Sequence, residues 1–147
     1  MALDYARFLR AQDPIWSSVI AELTLGRKQS HWMWFVFPQL RGLGTSEASI
    51  FFGLSDADDA ADYMAHPILG ERMTAVCSLL ETHAGTDPEE IFGQVDAAKL
   101  RSSMTLFETT PQLSMQASAV LRIFFAGRRC DMTLRRLNVS EILLSDQ

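Results

Sequence analysis

The sequence predicts a mainly α-helical fold: a compact single domain over residues 1–147, a bundle of about six to eight short helices with at most a minor strand pair. Three observations support this. Apolar residues recur at helical spacing along most of the chain. Pairs such as Asp13-Pro14 and Asp87-Pro88 mark helix starts. No low-complexity linker or internal repeat divides the chain.

Taken in order, Tyr5, Phe8 and Leu9 form a first short apolar stripe. Asp13 is a good N-cap, Pro14 suits the first helical position, and Trp16, Val19, Ile20 and Leu23 then follow the i, i+3, i+4, i+7 pattern. Gly26 is placed to end that helix. Ser55 is expected to cap a helix running through Tyr63 and Met64, with Asp58 and Asp59 near its positive end. His66-Pro67 breaks the pattern, and Leu69, Met73, Val76, Cys77 and Leu80 line one face of the next helix. Asp87-Pro88-Glu89-Glu90 opens a short helix that Gly93 closes. Asp96 is expected to cap another, with Leu100, Met104 and Phe107 inward. After Pro111, a helix carries Ala117, Val120, Leu121 and Phe124 and ends at Gly127. Asp131 caps a last short helix through Leu134 and Leu137. The runs 31–37 and 48–54 are too short for a period to decide between strand and helical turn.

A chain of 147 residues can bury about 68–70% of the surface its unfolded form exposes, enough for a core without staples. With 48% hydrophobic and 21% charged residues and a mean hydropathy of +0.04, the composition is that of a globular protein. A net charge of −5 argues against nucleic acid and anionic membranes as partners. No apolar run reaches the ~18 residues of a membrane helix, and Asp4, Arg7, Arg10, Asp13 and Glu22 interrupt the first 25 residues. The two cysteines lack metal-site spacing: Cys77 reads as a buried hydrophobe, and Cys130, between Arg129 and Asp131, sits where a thiol pKa can fall. A reducing cytoplasm is the expected location. Oligomeric state stays open.

Residues 26–44 concentrate the chemistry. There Lys28, His31 and Arg41 bracket Trp32, Trp34, Phe35 and Phe37, with three glycines alongside. Indole faces can stack on a planar base or sugar, and cations and glycine-exposed amides can hold a phosphate or carboxylate. The same aromatics could instead form core, with the cations snorkelling at its edge. Gln39 joins the candidate substrate-binding set. His31, just after Ser30, could stand at a helix N-terminus and act as acid or base, and Glu47 is the nearby carboxylate. A second cluster, Lys99 with Ser102 and Ser103, lies beside the core line of its helix; on a helix Lys99 and Ser103 face the same way. This cluster suits either an anion contact or a solvated face. Of 13 basic residues only these two, Lys28 and Lys99, are lysines.

Several site classes lack support. No GxxxxGK[ST] loop, strand-linked GxGxxG, HExxH, CxxC or GxSxG is present, and His31, His66 and His83 are dispersed. No metal or cofactor is expected.

The stretches GRK-x-SHWMWF-x-FPQL-x-GLG-x-S, AHPILG-x-R and IFG-x-x-D-x-x-KLRSSMTLF strongly resemble a bacterial family known as domain-of-unknown-function family 1810, from Phe8 to Leu137. That resemblance implies a compact, mainly helical domain and no particular activity. More distantly, the aromatic and polar motifs followed by a lysine-bearing helix look like the small helical domains that process ADP-ribose and related N-glycosides. Two functions follow as expectations. One is a pocket for a nucleotide- or ADP-ribose-like ligand in an N-glycoside hydrolase, with His31 or Glu47 moving the proton. In that site Lys28, Arg41 and Lys99 would hold phosphate, beside Trp32 and Trp34. The other is a non-catalytic ligand- or protein-binding module using the same surface. Both require residues 26–46 and the Lys99–Met104 stretch to meet around one pocket.

Overall fold

The computed structural model describes residues 3–145, with side chains described as far as Asn138. Helix α1 (Tyr5–Gln12) begins where the Asp4 carboxylate accepts the Ala6 N–H at 3.1 Å. It buries Phe8 and Gln12 and runs into a 3-10 turn at Asp13–Ile15. Asp13 and Pro14 therefore form a tight link between helices instead of a free N-cap, and α2 (Trp16–Leu25) starts after them. Gly26 closes α2 at φ 74°, a left-handed conformation that glycine adopts without strain. A methyl group there would also strike the His83 ring, whose Nε2 lies 2.7 Å from the Leu23 carbonyl oxygen.

Both ambiguous runs fold into helical turns. Met33–Val36 forms α3 and Glu47–Phe51 forms α4, each about one turn long. Ser46 caps α4 by accepting the Ser49 N–H at 3.1 Å. The expected minor strand pair shrinks to one parallel bridge between Leu40 and Leu54. There, Arg41 N–H donates to the Leu54 carbonyl at 2.7 Å and Leu54 N–H to the Gln39 carbonyl at 2.9 Å. Gly53 is required beside it: a Cβ would lie 2.7 Å from the Ser49 carbonyl oxygen and 2.8 Å from Arg41 Cα.

The cap of α5 (Ala57–Ala65) is Asp56, not Ser55: its carboxylate accepts the Asp59 N–H at 2.8 Å. His66 then ends α5 and starts α6 (Pro67–Glu81), its Nδ1 accepting the Ile68 and Leu69 N–H groups. The five apolar residues expected on one face of α6 are all buried. Helix α7 (Pro88–Phe107) is broken at Gly93, φ 79° and ψ 166°, where the sequence placed the end of one helix. Helix α8 (Ser114–Phe125) buries Ala117, Val120, Leu121 and Phe124 as its period required. Helix α9 runs Asp131–Ser145, well past Leu137, because nothing in the sequence there breaks it.

The core lies around α7, which packs on α8, α5, α9 and α3, while α6 packs on α5, α8 and α2. A buried polar network crosses it. Gln12 Nε2 donates to the Phe35 carbonyl at 2.7 Å and the Tyr63 hydroxyl at 2.9 Å, and Gln12 Oε1 accepts from Arg72 at 3.2 Å. Arg72 also pairs with Asp13 at 2.8 Å and lies over the Trp16 ring. These bonds satisfy an amide that would otherwise be costly to bury, and they fasten α1 to α3, α5 and α6. Among the described residues no helix is long and apolar enough to cross a membrane.

Gly70 tests the α5–α6 elbow. A methyl group there would collide with the Met64 carbonyl oxygen, which is backbone and has little room to move. Gly70→Ala should destabilise the fold by about 1–3 kcal/mol, seen as a lower urea midpoint with an unchanged slope.

Candidate functional site

The chain reaches the site through a turn held by a buried carboxylate. Glu22, on the inner face of α2, accepts the Gln29 N–H at 2.6 Å, the Ser30 N–H at 2.8 Å, the Ser30 hydroxyl at 2.7 Å and the Trp32 indole N–H at 3.1 Å. Burial alone would raise its pKa, but these four donors outweigh it and bring the pKa down to about 2. With its N–H engaged there, Trp32 sits 1% exposed in contact with Phe37 and Phe92. Trp32 is a core residue.

Lys28 follows the same turn inward. Its backbone N–H donates to the Ile91 carbonyl at 2.8 Å, and its ammonium meets Asp96 at 2.8 Å, 5.0 Å from the Trp32 ring. Lys99, one turn after Asp96 on α7, reaches the other oxygen of the same carboxylate at 3.2 Å. Burial pushes the Asp96 carboxyl up, but the hydrogen bonds and charges of the two lysines hold it below the usual carboxylate value. The chain's two lysines thus converge on one acid. Asp96, expected as a helix cap, is the electrostatic centre of the region instead.

Past this pair, Lys99 Nζ lies 4.2 Å from the Trp34 ring centroid, and both border a cavity of about 180 Å³. Its other walls are Gln39, Leu40, Leu43, Gly44, Ser49, Phe52 and Gly53. Residues from the 26–46 segment and the Lys99 helix therefore meet in one place. The Gln39 side-chain nitrogen is buried there with no hydrogen-bond partner among the described residues. Ser49 gives its hydroxyl proton to the Ser46 carbonyl at 2.8 Å.

The remaining expected site residues stand elsewhere. Arg41 is exposed and turns its guanidinium to the Ile50 and Gly53 carbonyls and the Ser55 hydroxyl, at 2.9–3.2 Å, so it clasps the cavity's outer wall. His31 and Glu47 are exposed, and neither borders the cavity. His31 precedes α3, and Glu47 is in the first turn of α4. Ser102 is buried and shares a 2.9 Å hydrogen bond with Thr133 that docks α9 on α7. Ser103 is fully buried, its hydroxyl without a partner among the described residues. A second, more open depression of about 510 Å³ lies between Glu81, Glu108 and Arg122 and includes none of these residues. Among the described residues no group of three or more His, Cys, Asp or Glu side chains gathers as a metal site.

Ser49, Phe52 and Asp96 are the contributors that sequence reasoning passed over. Asp96 carried a usable signal: it stands three residues before one of only two lysines. Ser49 and Phe52 carried none, because the bridge between Leu40 and Leu54 is what brings their run against Gln39.

Residues 2–137 match the family described as protein of unknown function, DUF1810. The chain belongs to the DUF1810 family. Its structure is similar to the crystal structure of the conserved hypothetical protein Rv1873 from Mycobacterium tuberculosis, at 42% identity and a TM-score of 0.89. That match covers 92% of this DUF1810 chain and 96% of the other. No curated protein matches it.

Glu22 gives this DUF1810 domain a measurable pH dependence. A carboxyl whose folded pKa is depressed contributes stability above its unfolded value near 4.5, and that contribution is lost as pH falls toward about 2. Glu22→Gln keeps an acceptor oxygen but loses the charge, and should cost about 1–3 kcal/mol at pH 7. Urea unfolding of both proteins from pH 7 to pH 2.5 should show the gap narrowing below pH 4.5. A gap that stays constant would show that the charge contributes nothing.

Proposed function

We propose that this DUF1810 domain is a non-catalytic ligand-binding module whose cavity takes the planar end of a nucleotide-like small molecule against Trp34. The observation that carries this reading is the meeting of Trp34, Gln39 and Lys99 around one cavity. An aromatic wall, an ammonium group and a buried amide nitrogen with no partner among the described residues together supply stacking, charge and a directed donor.

At about 180 Å³ the cavity is smaller than the roughly 300–1,000 Å³ usual for drug-sized ligands. It suits one ring system better than a whole ADP-ribose. A larger ligand would enter by one end and leave the rest over the rim.

Two features favour binding over hydrolysis. His31 and Glu47 do not border the cavity, and Asp96, the acid paired with its Lys99, is engaged by two lysines and held ionised. A general acid or base must come within hydrogen-bond reach of the proton it moves. An N-glycoside hydrolase would have to bring His31 or Glu47 to the ligand by rearrangement. Reading the protein as a cytoplasmic one belongs with this proposal and rests on cysteine usage alone.

Incubation with adenosine, AMP and ADP-ribose, followed by isothermal titration and mass spectrometry, tests the reading. Saturable binding is expected without new products, weakened about ten-fold or more in Trp34→Ala by loss of the stacking face. Turnover abolished by His31→Ala or Glu47→Gln would restore the hydrolase, and binding indifferent to Trp34→Ala would place the ligand elsewhere.

A further inference from the structure

We propose that the Trp34 cavity is selective for a small ring-bearing monocarboxylate, with Lys99 and Gln39 receiving the carboxylate and Asp96 positioning Lys99. This rests on the reading that the cavity binds the planar end of a ligand. It goes further by assigning the charge and functional group which that end carries inside the cavity, while a nucleotide's phosphate would stay over the rim.

The argument begins with charge. Two ammonium groups share the Asp96 carboxylate, leaving one positive charge uncompensated in the cluster. Lys28 does not border the cavity. Its side chain is only 6% exposed, held by Asp96, by the Ser30 carbonyl and by the face of Trp32. Lys99 does border it, and Asp96 is the one hydrogen-bond partner described for its three donors. The surplus charge therefore faces the cavity through Lys99. A monoanion there neutralises the cluster. A dianion would leave a negative charge against the apolar walls of Trp34, Leu40, Leu43 and Phe52, which is costly.

Donor supply supports the same conclusion. Among the lining side chains, Ser49 donates its hydroxyl to the Ser46 carbonyl, which leaves the Lys99 ammonium, the Gln39 amide and the Trp34 indole N–H to donate. Among the described residues the buried Gln39 nitrogen has no acceptor, an arrangement that a ligand oxygen would relieve. Phosphate recognition draws on Arg forks and multiple donors, and the Arg41 guanidinium beside this wall is engaged with Ile50, Gly53 and Ser55. The Lys99 ammonium and the buried Gln39 amide can each take one oxygen of a carboxylate, and a volume of about 180 Å³ beside the Trp34 ring matches a single ring.

Titration of the full chain with benzoate, benzamide and phenyl phosphate holds the ring constant and varies the head group. Adenosine serves as a neutral ring without a carboxylate. Benzoate should bind at least about ten-fold tighter than benzamide or phenyl phosphate, the scale of a charge-assisted hydrogen bond. In Lys99→Met benzoate should fall to the level of benzamide. In Asp96→Asn, with folding checked by circular dichroism, the added positive charge should move the preference toward phenyl phosphate. Benzamide equal to benzoate, or phenyl phosphate preferred in the unaltered chain, overturns the monocarboxylate assignment and leaves the cavity as a ligand site. Adenosine binding without benzoate binding does the same. No binding by any of the four removes the ligand-site reading itself.

Discussion

The Glu22 carboxylate, buried at the end of α2, governs the course of the chain into the candidate site. By accepting two backbone N–H groups, a hydroxyl and an indole N–H, it fastens residues 29–32 to α2. A buried charge is stable only when its lone pairs are filled, and here four donors fill them. Two consequences follow. Trp32 is held in the core, and the backbone leaves the turn so that α3 brings Trp34 to the cavity. Lys28, just before the turn, is directed onto Asp96. The position of the cavity's charge thus depends on an acid that never touches the cavity.

Around that anchor the aromatic and basic residues divide their work. Trp32 and Phe37 are structural, while Trp34 and Phe52 form walls. Lys28 balances Asp96, and Lys99 faces outward from the same ion cluster. Arg41 clasps a loop through three separate acceptors, while the adjacent Leu40–Leu54 bridge and Gly53 set how closely residues 39–44 approach 49–53. Spreading the charge over a lysine–aspartate–lysine cluster keeps each partly buried ion paired, which isolated cations in so apolar a setting could not achieve.

Much of the fold was legible because helical periodicity is a local property. The buried faces of α6 and α8 coincide with the residues their spacing selects, and Gly26 and Gly93 stand at a helix end and a helix kink where φ is positive. Legibility failed where a partner distant in sequence decides the role of a residue. Asp96 resembles a helix cap until Lys28, remote in sequence, pairs with it. Ser102 resembles a ligand contact until Thr133 on α9 accounts for it. Trp32 and Trp34, two positions apart, could not be told apart by type, and only the placement of Glu22 sends one inward and leaves the other at a cavity.

By itself, the sequence determined the helical class, several helix limits, the family and the two segments that meet at the candidate site. Spacing, caps, glycines and long motifs are recorded residue by residue along the chain. Tertiary structure alone decided which members of those segments share a cavity, its modest volume, and the pairing that leaves one positive charge beside Trp34. These depend on distances between residues remote in sequence, because burial and electrostatic pairing are set by what the folded chain brings within a few ångströms.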